Sequence, residues 1–326
     1  MNKIELLKLP KIENLKDLNH LLLFTEKQLN DFVRLKSEQY VSFKIPKKNS
    51  IEKRIINAPK KYLKLAQKII LNEILEKVPC SNAATAFIKN KNGLFENANM
   101  HKDNLYLLKF DFCNFFQSIK FERIRLLFIE LGYNPKISKI LAELCTYCKE
   151  LPQGGICSPC LSNLICLELD NDLLEYCEGN DIKYTRYADD LFFSSNNKEV
   201  LLKLKEDIET LILKHRTEFF DIKINRQKTK FITEPWHKKV TGITINNNKI
   251  KTSKTLKRDI RRELYFTIIK NKTDYNKLIG QIAFVISIEK DYAEKIKKYA
   301  LSICEKNNIH EHKIIQILDK MVKSQV

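Results

Sequence analysis

The sequence predicts an α+β fold, with a small antiparallel sheet and helices packed on one side of it. Two observations predict the sheet. Residues 105–112 are apolar nearly throughout, as in a strand covered on both faces, and residues 182–194 read as strand, tight turn and strand. A third observation predicts the helices, because the apolar side chains of residues 60–78 recur at helical spacing. Local hairpins combined with amphipathic helices are typical of the α+β class.

Shorter elements flank these three segments. Residues 12–36 predict two helices, the second starting with a capping box at Thr25–Gln28, and residues 39–45 and 55–59 predict two strands. Further helices are expected at 121–131, 136–148, 158–178 and 197–215, short strands near 222–233 and 240–252, and a basic helical segment from Ser253 onward. The expected division is 1–104, 105–252 and 253–326, with helices inserted around 121–150.

Composition indicates a polyanionic partner. The sequence has 58 Lys+Arg against 40 Asp+Glu, a formal net charge of +18. Because these basic residues are spread along the chain, they favour nucleic acid over a membrane surface, with a solvated lysine-rich surface as the alternative. The longest apolar run is far below the ~20 residues of a spanning helix. The nine Cys, several inside apolar stretches, predict a reducing cytoplasm rather than a disulfide framework.

Three carboxylates stand where an unpaired charge is costly. Asp111 ends the apolar strand, and Asp189 and Asp190 occupy the tip of the hairpin. An Asp pair in a hairpin is by itself common turn chemistry. Three carboxylates converging from neighbouring strands would instead form the hard-oxygen site that Mg²⁺ prefers. Two Mg²⁺ about 3.5–4 Å apart would activate an attacking hydroxyl and stabilise a leaving pyrophosphate, as nucleotidyl transfer requires.

Three sequence blocks, in this order, resemble the palm motifs of reverse transcriptases. Asp111 matches the aspartate of motif A, Leu151–Pro159 matches motif B, and Tyr187-Ala-Asp-Asp190 matches motif C. The resemblance extends over residues 40–290. It implies an RNA-directed DNA polymerase with fingers, a palm and a helical thumb arranged like a right hand, in which the carbonyl of Phe112 helps to hold the metal.

The resemblance also assigns catalytic roles. It implies that Asp111 and Asp189 bridge two Mg²⁺ ions and that Asp190 assists them. Lys228 matches motif D, where a lysine protonates the departing pyrophosphate. Lys230 is a nearby alternative for this general acid.

Other residues of the resemblance are expected to bind the incoming dNTP. Lys47 and Arg54 lie in a segment like the fingers hairpin that clamps the triphosphate, a task suited to a Lys point charge and an Arg fork. Contact with the template backbone is the alternative for this hairpin. Phe116 stands where the family has an aromatic steric gate against a ribose 2′-OH, with a core Phe as the alternative. Gln153 and Gly154 are expected to touch the nucleotide.

Two short strings narrow the resemblance to bacterial retron reverse transcriptases. Asn97 and His101 fit the pattern Asn-Ala-x-x-His before motif A, and Val240-Thr241-Gly242 follows motif D. Such enzymes start from a guanosine 2′-OH of their own structured non-coding RNA (msr-msd). They copy part of it into cDNA, giving branched multicopy single-stranded DNA (msDNA), and act in antiphage defence. The resemblance implies RNA contacts by both strings.

Further partners follow from the same resemblance. A host RNase H is expected to remove the copied RNA, and an effector or toxin protein is expected to accompany the enzyme, with no membrane involved. A basic terminal helix suits an RNA stem or a duplex backbone, with a solvated helix surface as the alternative. The basic residues of this helix are Lys254, Lys257, Arg258, Arg261 and Arg262.

Three other functions compete with the retron prediction. The first is another bacterial reverse transcriptase, of the group II intron, diversity-generating or phage-exclusion type. The second is an RNA-dependent RNA polymerase, against which Phe116 and Tyr187 argue. The third is a non-catalytic RNA-binding scaffold, against which the intact carboxylates argue.

Overall fold

The computed structural model describes residues 3–46, 52–233, 238–246, 248–309 and 312–324, without the side chains of Val33 and Asn246. The chain divides into two compact units. Unit 1 comprises Met1–Lys91 and Leu108–Phe231, and unit 2 comprises Asn92–Leu107 and Ile232–Val326. The predicted division into three segments, with boundaries at 104/105 and 252/253, stays a prediction.

The described chain contains both helices and strands, several of each in succession. The described helices are α1 (Lys3–Leu6), α2 (Leu15–Leu22), α3 (Glu26–Arg34), α4 (Lys61–Glu73), α5 (Gly93–Met100), α6 (Phe115–Ser118), α7 (Phe121–Glu130), α8 (Pro135–Cys145), α9 (Ser158–Ile165), α10 (Leu167–Glu178), α11 (Lys198–Leu213), α12 (Lys254–Ile269), α13 (Asn276–Ile288), α14 (Tyr292–Lys306) and α15 (Lys313–Lys323). The described strands are β1 (Tyr40–Pro46), β2 (Lys53–Pro59), β3 (Tyr106–Asp111), β4 (Lys183–Tyr187), β5 (Asp190–Ser195), β6 (Lys230–Ile232), β7 (Lys239–Val240), β8 (Ile243–Asn246) and β9 (Lys249–Lys251). Of these helices, none combines the length and the apolar composition needed to span a membrane.

Unit 1 is organised around a four-stranded sheet with the order β4-β5-β3-β6. The apolar strand β3 lies inside the sheet, where Leu108 and Phe110 are buried. Strands β4 and β5 form an antiparallel hairpin with Tyr187 opposite Asp190. Strands β1 and β2 form a second, two-stranded antiparallel sheet in the same unit. The predicted α+β class with a small antiparallel sheet is confirmed.

Several predicted boundaries in unit 1 needed correction. The helix predicted over 158–178 is two helices, because the chain breaks at Cys166, whose ψ of 1° is outside the helical range. The strand predicted near 222–233 is reduced to β6, since Arg226–Lys228 form a 3₁₀ turn. The capping box of α3 is present as predicted, with the Thr25 hydroxyl accepting from the Gln28 N–H and Gln28 Oε1 accepting from the Thr25 N–H.

Unit 2 combines a three-stranded sheet, β7-β8-β9, with helices. Helix α5 packs on all three strands, and α12–α15 pack together around a core that includes Ile260, Ile282 and Ile296. Sequence patterning did not predict α5. Its eight residues start with Gly93 and include two Asn, so their intrinsic helix propensity is low. Burial against the sheet, rather than propensity, stabilises this helix.

Candidate active site

The three predicted aspartates lie at the neighbouring ends of two adjacent strands of unit 1. Asp111 is the last residue of β3, Asp189 lies in the two-residue loop between β4 and β5, and Asp190 begins β5. The Phe112 N–H donates to the Asp189 carbonyl at 2.9 Å, which fastens the loop to the end of β3. Local sheet pairing therefore brings together carboxylates that are far apart in sequence.

The loop that carries Asp189 has an unusual backbone. Ala188 adopts φ +57°, in the left-handed region, where a small side chain limits the steric penalty. The guanidinium of Arg186 donates to the Ala188 carbonyl at 3.2 Å and so stabilises this turn. The turn is thus fixed both by sheet pairing and by a buried side chain.

Arg186 is a supporting residue that sequence reasoning missed. Its side chain is fully buried and forms a two-pronged ion pair with Asp170, with Nε–Oδ1 at 2.8 Å and Nη2–Oδ2 at 2.6 Å. Tyr184 donates its hydroxyl to the same carboxylate at 2.8 Å. Burial acts to lower the pKa of Arg186, but Asp170, with smaller contributions from Cys166 and Tyr184, outweighs burial and raises that pKa, so the guanidinium stays charged. The signal available in the sequence was an arginine inside the predicted hairpin, three residues before Asp189.

The three carboxylates repel one another in a poorly hydrated place. Burial raises the pKa of Asp189, and the charge of Asp111 adds to the rise. Burial also raises the pKa of Asp190 to about 6, with contributions from both other aspartates and opposition from Lys109. Lys109 was not predicted, yet its Nζ lies 2.7 Å from Asp190 Oδ1.

Two of these aspartates form ion pairs with lysines. Lys228 Nζ lies 2.8 Å from Asp111 Oδ1 and Lys109 pairs with Asp190. Among the residues that the structure describes, no group of three or more His, Cys, Asp and Glu side chains is arranged as a metal site. The carboxylates therefore share one end of the sheet without forming a ready-made coordination sphere.

Of the two lysines considered as general acid, Lys228 contacts the carboxylates. Burial acts to lower its pKa, but Asp111, Asp189 and Asp190 together outweigh burial and raise it. Lys228 is consequently protonated at neutral pH and holds a proton beside Asp111. Lys230, two residues further on, is exposed at the start of β6.

Of the predicted nucleotide-binding residues, Arg54 lies near the aspartates. Arg54 is exposed on β2, near enough for its charge to lower the pKa of Asp189. Lys47 lies outside the described residues. Phe116 is half-buried on α6, with its ring centroid 5.5 Å from that of the buried Phe115. Part of the Phe116 ring is accessible, and its role as a steric gate stays a prediction.

The motif B loop is fastened to strand β2. The Gln153 carbonyl accepts from the Asn57 N–H at 2.7 Å. Gly154 has φ +107°, and a Cβ placed on it would lie 2.8 Å from Ile56 Cγ2 and 3.0 Å from the Asn57 carbonyl oxygen. The glycine is therefore required both for its backbone conformation and for the close approach of β2.

A buried glutamine supports the same loop and was not predicted from the sequence. Gln67 donates to the Leu144 carbonyl at 2.8 Å and to the Tyr40 hydroxyl at 3.0 Å. Its side-chain oxygen accepts from the Ile156 N–H at 2.9 Å. Every polar atom of this side chain is thus used to fix the loop against α4 and α8. In the sequence it appeared as an ordinary polar position of an amphipathic helix.

The two short strings of the retron resemblance meet in unit 2. Asn97 and His101 lie on or just after α5, which packs against the hairpin formed by β7 and β8. Thr241 and Gly242 form the two-residue loop of that hairpin, with φ +49° and +84°. Positive φ at both positions is the requirement of a type I′ hairpin turn, which explains the glycine.

The predicted RNA contacts of three of these residues need correction. The side chains of Asn97, His101 and Val240 are fully buried, so they build the unit rather than present themselves to RNA. Burial, with Lys238 nearby, lowers the pKa of His101 to about 3, so the imidazole is neutral and cannot pair with a phosphate at physiological pH. Thr241 is half-buried and Gly242 exposed, so only the turn remains available for contact.

The predicted basic helix is α12. Its Lys254, Arg258, Arg261 and Arg262 are exposed. Lys257 differs, because its Nζ lies 2.6 Å from the half-buried carboxylate of Glu289. The charge of Lys257 is therefore compensated inside unit 2, and its contact with RNA stays a prediction.

Similar proteins share these motifs. Residues 45–257 match the family described as reverse transcriptase (RNA-dependent DNA polymerase). Retron Ec83 reverse transcriptase of Escherichia coli is 33% identical over 296 residues, covering 84% of this chain and 92% of that protein. Retron Ec73 reverse transcriptase of the same organism is 32% identical over 290 residues, covering 81% and 90%. Retron Ec86 reverse transcriptase, also from Escherichia coli, is 28% identical over 292 residues, covering 89% of each.

Proposed function

Since the chain belongs to the bacterial retron reverse transcriptases and is an RNA-directed DNA polymerase, we propose that it copies part of its own structured RNA (msr-msd) into DNA. Synthesis starts from a guanosine 2′-OH of that RNA and gives branched msDNA. The observation that carries the proposal is the 33% identity to a retron reverse transcriptase over nearly the whole of that protein. The three aspartates at one end of the sheet supply the chemistry.

We propose that this end of the sheet binds two Mg²⁺ ions. Its donors are carboxylates, to which the Phe112 carbonyl can be added, and hard oxygen donors suit Mg²⁺. Burial, and after it the charges of neighbouring aspartates, raise the pKa values of Asp189 and Asp190, and a bound cation would favour the ionised form of both carboxylates. When bound, two such ions would activate the attacking hydroxyl and neutralise charge on the leaving pyrophosphate. Asp111, Asp189 and Asp190 would hold them, after Lys228 and Lys109 release their carboxylates.

The remaining residues of the site act on the nucleotide. Lys228, protonated and released from Asp111, donates a proton to the departing pyrophosphate. Arg54, and Lys47 outside the described residues, bind the triphosphate, because guanidinium and ammonium groups pair with phosphate oxygens. Phe116 excludes a ribose 2′-OH and so favours dNTPs, while Gln153 and Gly154 line the sugar and base of the incoming nucleotide.

RNA recognition is proposed for the exposed surface of unit 2. The four exposed basic residues of α12 and the Thr241–Gly242 turn are accessible. A basic helix face binds an RNA stem chiefly through phosphates and shape. The wider setting follows from the family resemblance. The enzyme works in the cytoplasm, a host RNase H removes the copied RNA, and an effector protein completes an antiphage defence system.

The test is the chemical structure of the DNA made in cells. The chain is expressed with the RNA encoded beside its gene, and nucleic acid that co-purifies with it is digested with RNase A. A single-stranded DNA that keeps one branched ribonucleotide, and that shifts in a gel after treatment with a 2′–5′ debranching enzyme, is expected. The matched control is the Asp189→Asn/Asp190→Asn protein, which should yield the RNA without DNA.

The same experiment separates the second candidate, a bacterial reverse transcriptase with a different priming mode. DNA without a branch, from a protein that extends an ordinary DNA primer on an RNA template, would contradict 2′-OH priming and leave the polymerase intact. RNA bound without any DNA, together with no extension of that primer, would contradict polymerisation itself and favour the scaffold.

A further inference from the structure

Phe87 occupies a backbone conformation that an aromatic residue normally avoids. It lies in a turn of unit 1 with φ +63°, in the left-handed region where glycine and asparagine are common. The residue is also 48% exposed, so burial of the ring in a core cannot explain why the strained backbone is tolerated. A strained backbone at an exposed aromatic residue favours a functional reason for that residue.

The turn is held against the catalytic hairpin. The Arg186 N–H donates to the Ala83 carbonyl at 2.7 Å, and the Thr85 N–H donates to the Arg186 carbonyl at 2.9 Å. Asn163 on α9 donates its side-chain N–H to the Ala86 carbonyl at 2.8 Å. Both the main chain and the side chain of Arg186 therefore connect this turn to the loop that carries Asp189. The position of Phe87 relative to the aspartates is fixed by hydrogen bonds on its N-terminal side.

The ring of Phe87 stands beside that of Tyr187. The ring centroids are 6.4 Å apart and the planes are inclined by 41°. Tyr187 is half-exposed and lies two residues before Asp189. Two accessible aromatic rings thus lie side by side next to the candidate catalytic loop.

We propose that Phe87 and Tyr187 together form a contact surface for the bases of the template–primer duplex next to the primer end. This inference rests on the proposed function, because polymerisation brings a primer end to Asp111 and Asp189. Aromatic rings stack on accessible base faces without regard to sequence, and the base pair at the primer end has one face that no neighbouring pair covers. The left-handed turn presents the Phe87 ring beside Tyr187, and Phe87 positions the duplex without taking part in the reaction.

The test compares variants that separate the ring from the backbone. Phe87→Asn removes the ring but accepts the left-handed conformation, so its thermal unfolding midpoint should not fall. Its Kd for an RNA-template/DNA-primer duplex, measured by fluorescence anisotropy, should rise at least about fivefold, the lower end of one base–aromatic stack. Phe87→Trp keeps a ring and should retain wild-type affinity. Tyr62→Asn is the matched control, since Tyr62 is 57% exposed on α4 of the same unit.

A fluorescent base identifies the contact directly. 2-Aminopurine is placed either at the primer 3′ end or at the template base opposite, because stacking on an aromatic ring quenches its emission. Wild-type protein should quench one of the two probes, which names the strand, and Phe87→Asn should restore the emission. Wild-type affinity in Phe87→Asn, or weaker binding with no change of emission from either probe, would overturn the proposal.

Two further outcomes have separate meanings. A lowered unfolding midpoint with equal loss of affinity in Phe87→Asn and Phe87→Trp would show a purely structural residue and would also overturn the proposal. A wild-type protein that binds the duplex but extends no primer would refute the proposed function instead. Primer extension by the wild-type protein is therefore measured in the same samples.

Discussion

Replacing Asp190 with Asn is expected to stabilise the metal-free protein. Burial and the neighbouring aspartates raise the pKa of Asp190 from 3.8 to about 6. One pKa unit corresponds to about 1.4 kcal/mol, so the ionised carboxylate lowers the free energy of unfolding by about 3 kcal/mol at neutral pH. Asn keeps the shape of the neutral side chain without the charge. The variant should gain an amount that approaches this figure.

The effect has a defined pH window. Because the pKa of Asp190 is higher in the folded state than in the unfolded state, the folded protein holds a proton between pH 3.8 and about 6 that the unfolded chain has lost. The destabilisation is therefore absent below that window and complete above it. The advantage of Asp190→Asn should be full at pH 7 and should shrink as the pH falls towards 3.8.

Urea unfolding in EDTA at pH 7 and at pH 4.5 measures this difference. Glu206→Gln is the control, because it removes a carboxylate from the exposed face of α11 in the same unit, where changes stay within about 0.5 kcal/mol. Saturating Mg²⁺ should narrow the gap, since the wild-type protein gains binding energy that the variant lacks. An Asp190→Asn protein that is less stable than wild type at pH 7, or equally stabilised at both pH values, would refute the electrostatic reasoning.

Three further predictions concern the surroundings of the aspartates. Lys228→Met should lower the single-turnover rate of nucleotide addition by about 10²–10⁴-fold, whereas Lys230→Met should leave this rate near that of the wild type. Equal losses in the two variants would contradict the role of Lys228 as general acid. Gly154→Ala should raise the KM for dNTPs and lower the unfolding midpoint, because the new Cβ would lie 2.8 Å from a neighbouring side-chain carbon of β2. Unchanged values would show that the loop can relax. Arg186→Met should destabilise the protein by about 3–5 kcal/mol in urea unfolding, since the buried carboxylate of Asp170 loses its partner, and a neutral effect would mean that water replaces the guanidinium.

The sequence predicted best those parts of the site that consist of short motifs of consecutive residues. Asp111, the motif B loop and the hairpin with Asp189 were each predictable, because a charged or glycine-rich string interrupts an apolar pattern. Their adjacency followed from the expectation that β3 and the hairpin share a sheet. The family resemblance then gave the activity that the comparisons support.

Supporting residues were not predictable, because their roles depend on tertiary contacts. Arg186 and Asp170 lie on different elements, and only folding places their charges 2.6 Å apart. Lys109 likewise meets Asp190 across neighbouring strands. The Asn-Ala-x-x-His pattern predicts an RNA contact for His101 because a pattern carries no information on burial, whereas the structure encloses the side chain completely.

The most direct test of the central claim is primer extension with dNTPs, Mg²⁺ and an RNA template. The wild-type protein should add deoxynucleotides, while Asp189→Asn/Asp190→Asn should bind the same RNA with unchanged Kd and add none. DNA synthesis by the double variant at the wild-type rate would contradict the assignment of these aspartates as the catalytic centre.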